Sequence, residues 1–151
     1  MKSVTLSLIL SALLITPLSF SYASDDSGDA GYSPKYKQFE APAERIPKYF
    51  SMDKNVVNLR NTKKAKFLAV DFKFMSYYPQ IVEVEMEYLR PILKNDIDRL
   101  LRNQSYETLS TPNGPDLLRE EILKVARHIL EGHKLYPDLL EDVYLDKFVI
   151  Q

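Results

Sequence analysis

Cysteine is absent from this 151-residue chain. Neither a disulfide framework, a cysteine metal site nor a cysteine nucleophile is therefore open to it. Glycine is scarce, at four residues, and neither a glycine-rich phosphate loop nor a G-x-S-x-G elbow occurs. Histidine is scarcer still, with His128 and His133 the two that are present. Their spacing misses the i, i+4 pair of a zinc-protease helix, although Glu131 lies between them. Both are read as ordinary helix-end residues, and no metal is expected. No sign of charge dominates, since 20 basic and 21 acidic residues leave a net charge of −1 without a large block. A sequence-independent nucleic-acid binder needs a basic footprint, so nucleic acid is not an expected partner. The carboxylates Glu83, Glu85, Glu87, Asp96 and Asp98 are interleaved with Arg90, Lys94, Arg99 and Arg102, the pattern of a solvated helix face. Nothing sets two of them apart as an acid–base pair. The chain is expected to have no catalytic residue and no cofactor.

What is present describes an exported globular protein. Hydrophobic residues make up 45% of the chain, a globular composition, and the length fits one domain. After Met1 and Lys2, "SVTLSLILSALLITPLSFSYA" runs 21 residues without a charge. The apolar run is short, Pro17 breaks it, and Ser21-Tyr22-Ala23 ends it in the small-x-small form that signal peptidase cuts. Residues 1–23 are read as a signal peptide, with a retained membrane anchor as the alternative, since 21 helical residues span roughly 30 Å. Residues 24–48, rich in Pro, Gly and charge, read as a flexible linker. Tyr32, Tyr36 and Phe39 are exceptions to its polar character, either plain linker residues or anchors for a partner.

Residues 49–151 carry the periodic pattern of a fold. "KYFSMD" and "NVVNL" read as two strand pieces around a turn at Asp53-Lys54-Asn55. "AKFLAVDFKF" is the clearest strand, with Leu68, Val70, Phe72 and Phe74 on one face. From Gln80 to Asn103, Val82, Met86, Leu89, Leu93, Ile97 and Leu100 recur at helical steps, and Pro91 predicts a kink or break near Glu87–Arg90. "SYETLSTPNGP" is a connection with room for one helical turn after Ser105. A second helix over about Asp116–Glu131 puts Leu118, Ile122, Val125 and Ile129 on one face, and Gly132 is placed to end it. "DVYLDKFVIQ" reads as a last strand from Val143, paired with the "AKFLAVDFKF" ladder. The fold class is α+β: a small antiparallel or mixed sheet packed against two helices.

As text, Tyr49 to Gln151 resembles the periplasmic domain of the flagellar basal-body-associated FliL family. The matching stretches are "VVNL", "KFLAVDFKF", "YLRPILKNDIDRLLRNQSYETLSTPNGPDLLREEILK" and the closing "DVYLDKFVIQ". In that closing stretch Val143, Phe148, Val149, Ile150 and Gln151 fit the family's ending, while Leu145 stands where an aromatic is common. The resemblance implies a stomatin-like fold and core or assembly roles for Asn58, Leu59, Leu68, Pro91, Leu100, Leu101, Gly114, Leu118, Val143, Phe148 and Gln151. It implies partners too: the flagellar stator complex and basal body, and further copies of the chain in a ring, with membrane association direct or through those partners. It further implies support of torque in swimming and swarming, on the periplasmic side of the inner membrane. Family members carry a basic segment before an uncleaved anchor; here only Lys2 precedes the apolar run, which favours the cleaved, periplasmic form. A soluble periplasmic scaffold acting outside the motor is the alternative function.

Overall fold

The computed structural model describes residues 35–60, 63 and 66–151. Ser21, Ala23, Tyr32 and residues 24–34 of the expected linker lie outside them. Three strands, β1 (Lys48–Asn58), β2 (Phe67–Ser76) and β3 (Asp142–Ile150), form an antiparallel sheet in the order β1-β2-β3. The helices α1 (Met86–Arg102), α2 (Tyr106–Leu109) and α3 (Gly114–Gly132) lie between β2 and β3 in the chain. The fold is α+β, and the final strand pairs with the "AKFLAVDFKF" ladder as its alternation predicts.

β2 is the floor of the core. Leu68, Val70, Phe72 and Phe74 alternate along it and are all fully buried. Burying each side chain is worth about 1.5–3 kcal/mol, enough to fix the register, because a one-residue slip would expose all four. Both neighbouring strands have to change parity to keep their apolar residues on that face. In β1 the inward set passes from Phe50 and Met52 to Asn55 and Val57. The sequence reading placed a turn at Asp53-Lys54-Asn55; instead a β-bulge interrupts one continuous strand, with Lys54 at φ 59°. The amide of Lys54 donates to Asp71 Oδ1 at 2.6 Å, and Asn55 Nδ2 donates to the carbonyls of Met52 and Val70. Those bonds satisfy a polar side chain that is otherwise buried, which makes the bulge stable without a chain reversal.

β3 shows the same device. Val143 and Leu145 pair with Phe74 and Phe72, and after a register shift Phe148 and Ile150 pair with Val70 and Leu68. The three-residue step from Leu145 to Phe148 is the trace of that bulge in the sequence.

The first helical stripe is core. Val82, Met86, Leu89, Leu93, Ile97 and Leu101 are buried, with Leu100 packed partly beside them. Of the kink or break expected near Glu87–Arg90, the break does not occur, since α1 runs through Pro91 without interruption. A proline inside a helix costs about 3 kcal/mol, and the buried Leu89 and Leu93 on either side together outweigh it. The irregularity lies upstream instead, in a π-helical turn at Ile81–Glu85 where the Met86 amide donates to Ile81 O. Ser105 caps α2, its Oγ accepting from the Thr108 amide at 3.1 Å, as the single helical turn requires.

α3 buries Leu118, Ile122, Ala126, Ile129 and Leu130, while Val125 stays at the margin. It ends at Gly132, yet the left-handed residue is Lys134 at φ 61°. The Leu135 amide reaches back to Leu130 O, and both leucines are buried, which is the bond and apolar contact of a Schellman ending.

Candidate interaction surface

Two surfaces stand out from this frame. Residues 35–47 have no helix or strand, but they lie along the domain as a strap. The Lys37 amide donates to Lys134 O at 2.7 Å, so the strap is held by the left-handed corner that ends α3. The Tyr36 ring meets Tyr136 edge-on at 5.4 Å, and Phe39 packs against the core. Tyr36 Oη and Lys35 Nζ both donate to Glu131, and Lys37 Nζ donates to both carboxylate oxygens of Glu85. The Lys35 hydrogen bond, with that of Tyr36, holds the Glu131 carboxyl below its ordinary range. Tyr36 and Glu131 in turn raise the Lys35 ammonium above its own. The sequence reading left Tyr36 and Phe39 as plain linker residues or anchors for a partner; both instead dock on the chain's own domain. The docking target, the α3 corner, depends on backbone geometry.

The second surface is the outer side of the π-helical turn and of α1, which continues it. Val84, Tyr88 and Ile92 are spaced by four and project away from the core, with Tyr88 78% exposed. Among the described residues, Met86, Leu89, Leu93, Ile97 and Leu101 are packed on the opposite side of the helix. Arg90 fixes it there: its guanidinium lies 4.2 Å over the Phe50 ring, and Nη1 donates to Ser51 O at 3.1 Å. A two-point bond with Glu87 raises the Arg90 guanidinium pKa and lowers that of the Glu87 carboxyl. Lys94 reaches Asn55 Oδ1 at 3.2 Å and so ties α1 to the β1 bulge. The exposed stripe is thus presented on a rigid element. It was missed in the sequence because the buried stripe of the same helix carries the stronger period.

The residues picked out for core or assembly roles divide by burial. Leu59, Leu68, Leu101, Gly114, Leu118 and Val143 are buried, and Leu100 and Phe148 are half-buried against the core. Asn58, Pro91 and Gln151 are exposed. Gln151 is nonetheless placed by the backbone, exchanging two hydrogen bonds with Phe67 at 2.8 and 3.0 Å. Gly114 has a steric reason to be glycine. A Cβ there would meet the carbonyl oxygens of Leu109 and Thr108 at 2.5 and 2.6 Å. Leu68 and Phe148 lie near one end of the sheet, where Phe148 pairs with Val70, whereas Val143 pairs with Phe74 towards the other end. Of the exposed three, Asn58 and Gln151 flank Phe67 on its two sides, and Pro91 lies apart in α1.

His128 lines a groove of about 390 Å³ between α1 and α3 with Asp96, Arg99 and Lys124. His133 is the C-cap of α3. Among the described residues, no group of three or more histidines and carboxylates could hold a metal ion. None of their helices is long and apolar enough to cross a membrane.

The family model described as flagellar basal body-associated protein FliL matches residues 49–151. A more distant similarity is to the flagellar protein LafL of Vibrio parahaemolyticus serotype O3:K6 (strain RIMD 2210633), 20% identical over 112 residues. That alignment covers 74% of this chain and 66% of LafL, so the chain spans just under two thirds of that relative's length.

Proposed function

Because the chain belongs to the FliL family of flagellar basal body-associated proteins, we propose that it is a non-enzymatic motor accessory. In this reading it abuts the stator units and supports torque in swimming and swarming. The observation that carries the reading is where the family match falls. It opens at Tyr49 in β1 and closes at Gln151 beside β3, so it takes in the helices packed on the sheet and all of the sheet but Lys48. What is matched is the sheet-and-helix body of the packed unit rather than a short motif.

The proposed partners are the stator complex and further copies of the chain in a ring. The proposed location is the periplasmic side of the inner membrane, reached with the leader cleaved after Ala23. The Val84, Tyr88 and Ile92 stripe is the surface we assign to a stator subunit. Exposed apolar side chains on a rigid helix, rimmed by charge, are the ordinary form of a helix-face contact. Co-purification from envelopes in mild detergent tests this. Stator subunits are expected to accompany the wild-type chain. Tyr88→Glu should lose them without a change in melting temperature. Equal recovery with both proteins would remove the stripe from the account.

A further inference from the structure

A cleft of about 430 Å³ lies between the strap at Ala41, Pro42 and Arg45, the Tyr77–Tyr78 corner, and the segment from Tyr136 to Glu141. Its charged lining residues are Arg45, Asp138 and Glu141, so its walls are acidic once Arg45 is set aside. The walls are preformed. Buried Ser76 donates to Leu139 O at 2.5 Å and accepts from the Tyr78 amide at 3.0 Å, locking two of the segments together. Arg127 donates from Nε and Nη2 to Leu140 O and from Nη2 to Glu141 O, and the Glu141 amide donates to Met75 O. Glu141 therefore projects from a fixed backbone.

Arg45 shows what chemistry the cleft accepts. Its guanidinium sits 4.4 Å over the Tyr77 ring, and Nη2 lies 3.7 Å from Glu141 Oε1. A planar cation on an aromatic face beside a carboxylate is the pairing that suits arginine better than lysine. Yet the Arg45 side chain remains 73% exposed and holds the site from its rim. A weak tethered cation of this kind yields to a better-seated competitor.

We propose that this cleft binds an arginine side chain presented by a partner polypeptide, and that Arg45 is its tethered occupant in the free protein. Charge and ring geometry select the guanidinium, and the tyrosines Tyr78 and Tyr136 supply the remaining aromatic wall. The proposal does not depend on which motor component the domain meets. Binding displaces Arg45 and so loosens the strap between Phe39, which packs against the core, and the start of β1 at Lys48.

The test uses the full chain in detergent micelles with 13C-labelled tyrosine rings. It is titrated with a blocked tripeptide carrying arginine at its centre, and with the same peptide carrying neutral citrulline. Saturable shifts of Tyr77, Tyr78 and Tyr136 are expected with the arginine peptide and not with citrulline. Removing the competitor in Arg45→Ala should tighten binding by about two- to fivefold, the value of an exposed cation–π contact. Arg45→Lys, which keeps charge but loses the planar stack, should fall between. Glu141→Gln on the Arg45→Ala background should weaken binding again. Equal shifts with the citrulline peptide, or identical affinities for wild type, Arg45→Lys and Arg45→Ala, would overturn the proposal. An Arg45→Ala protein that loses the Tyr36–Tyr136 contact is replaced in the comparison by Arg45→Lys.

Discussion

Replacing each of two glycines by alanine should move stability in opposite directions, and the reason is visible atom by atom. Gly132 closes α3, and a Cβ built there meets nothing within 4 Å. Neither Gly132 nor Gly114 adopts the left-handed backbone that glycine alone tolerates cheaply; Lys54 and Lys134 do so elsewhere. Gly132→Ala therefore adds helix propensity at no steric cost, worth about 0.5–1 kcal/mol at a helix end. At Gly114 the same methyl would lie 2.5 Å from Leu109 O and 2.6 Å from Thr108 O. Ordinary contact begins near 3.4 Å, so the α2–α3 corner must open by about 0.9 Å. Those atoms are backbone, held by the Ser110 amide bond to Tyr106 O and the Gly114 amide bond to Thr111 O, and cannot rotate aside. The cost should be about 1–3 kcal/mol, the usual range for overpacking. Thermal melts by circular dichroism read both. At about 3–6 °C per kcal/mol for a domain of this size, Gly132→Ala should melt about 2–6 °C higher and Gly114→Ala about 3–18 °C lower. Two shifts of the same sign, or an unchanged Gly114→Ala, would refute the steric argument.

Three further outcomes follow from the same geometry. Truncation after Asp146 removes Phe148, Val149 and Ile150, half-buried and paired with Val70, Ala69 and Leu68. At about half of full burial each, the loss is about 2–5 kcal/mol, and the melting temperature should fall or the protein be degraded. An unchanged melt would make this strand an exposed edge. The strap should loosen on acidification. Glu131 has a folded pKa below its ordinary 4.5, so its contribution is present above that value and lost as pH falls through the folded one. The nuclear magnetic resonance contact between the Tyr36 and Tyr136 rings should therefore weaken below about pH 4.5 and persist at neutral pH; persistence down to pH 2 would show that the Lys37 amide bond and the packed Phe39 hold the strap without Glu131. Intact mass of envelope-derived protein should correspond to a chain that begins at Ser24, and a mass that includes Met1–Ala23 would restore the anchored form.

Much of the sheet was legible because β2 alternates strictly and is buried on one side. The parity changes of β1 and β3 were not, since a bulge looks in the sequence like a turn or a missing strand residue. Asp53-Lys54-Asn55 has turn composition, and only the bonds of Asn55 to Met52 and Val70 reveal one continuous strand. Pro91 misled for a different reason. Its local cost is real, but Leu89 and Leu93 bind the helix to the core on both sides of it. The interaction surfaces were the least legible part. Tyr36 and Phe39 stood out by type, whereas the cleft at Tyr77, Tyr136 and Glu141 is assembled from segments far apart in the chain. No local pattern records their meeting.

In the proposed function this FliL-family domain supports the loaded flagellar motor through the outer side of the π-helical turn and α1. The most direct test of this claim is the swimming speed of a deletion strain in viscous medium, complemented with wild type or with Tyr88→Glu at matched protein level. Wild type should restore speed under load, and Tyr88→Glu should leave it at the deletion value although the domain is folded. A deletion strain that swims normally under load would contradict the claim.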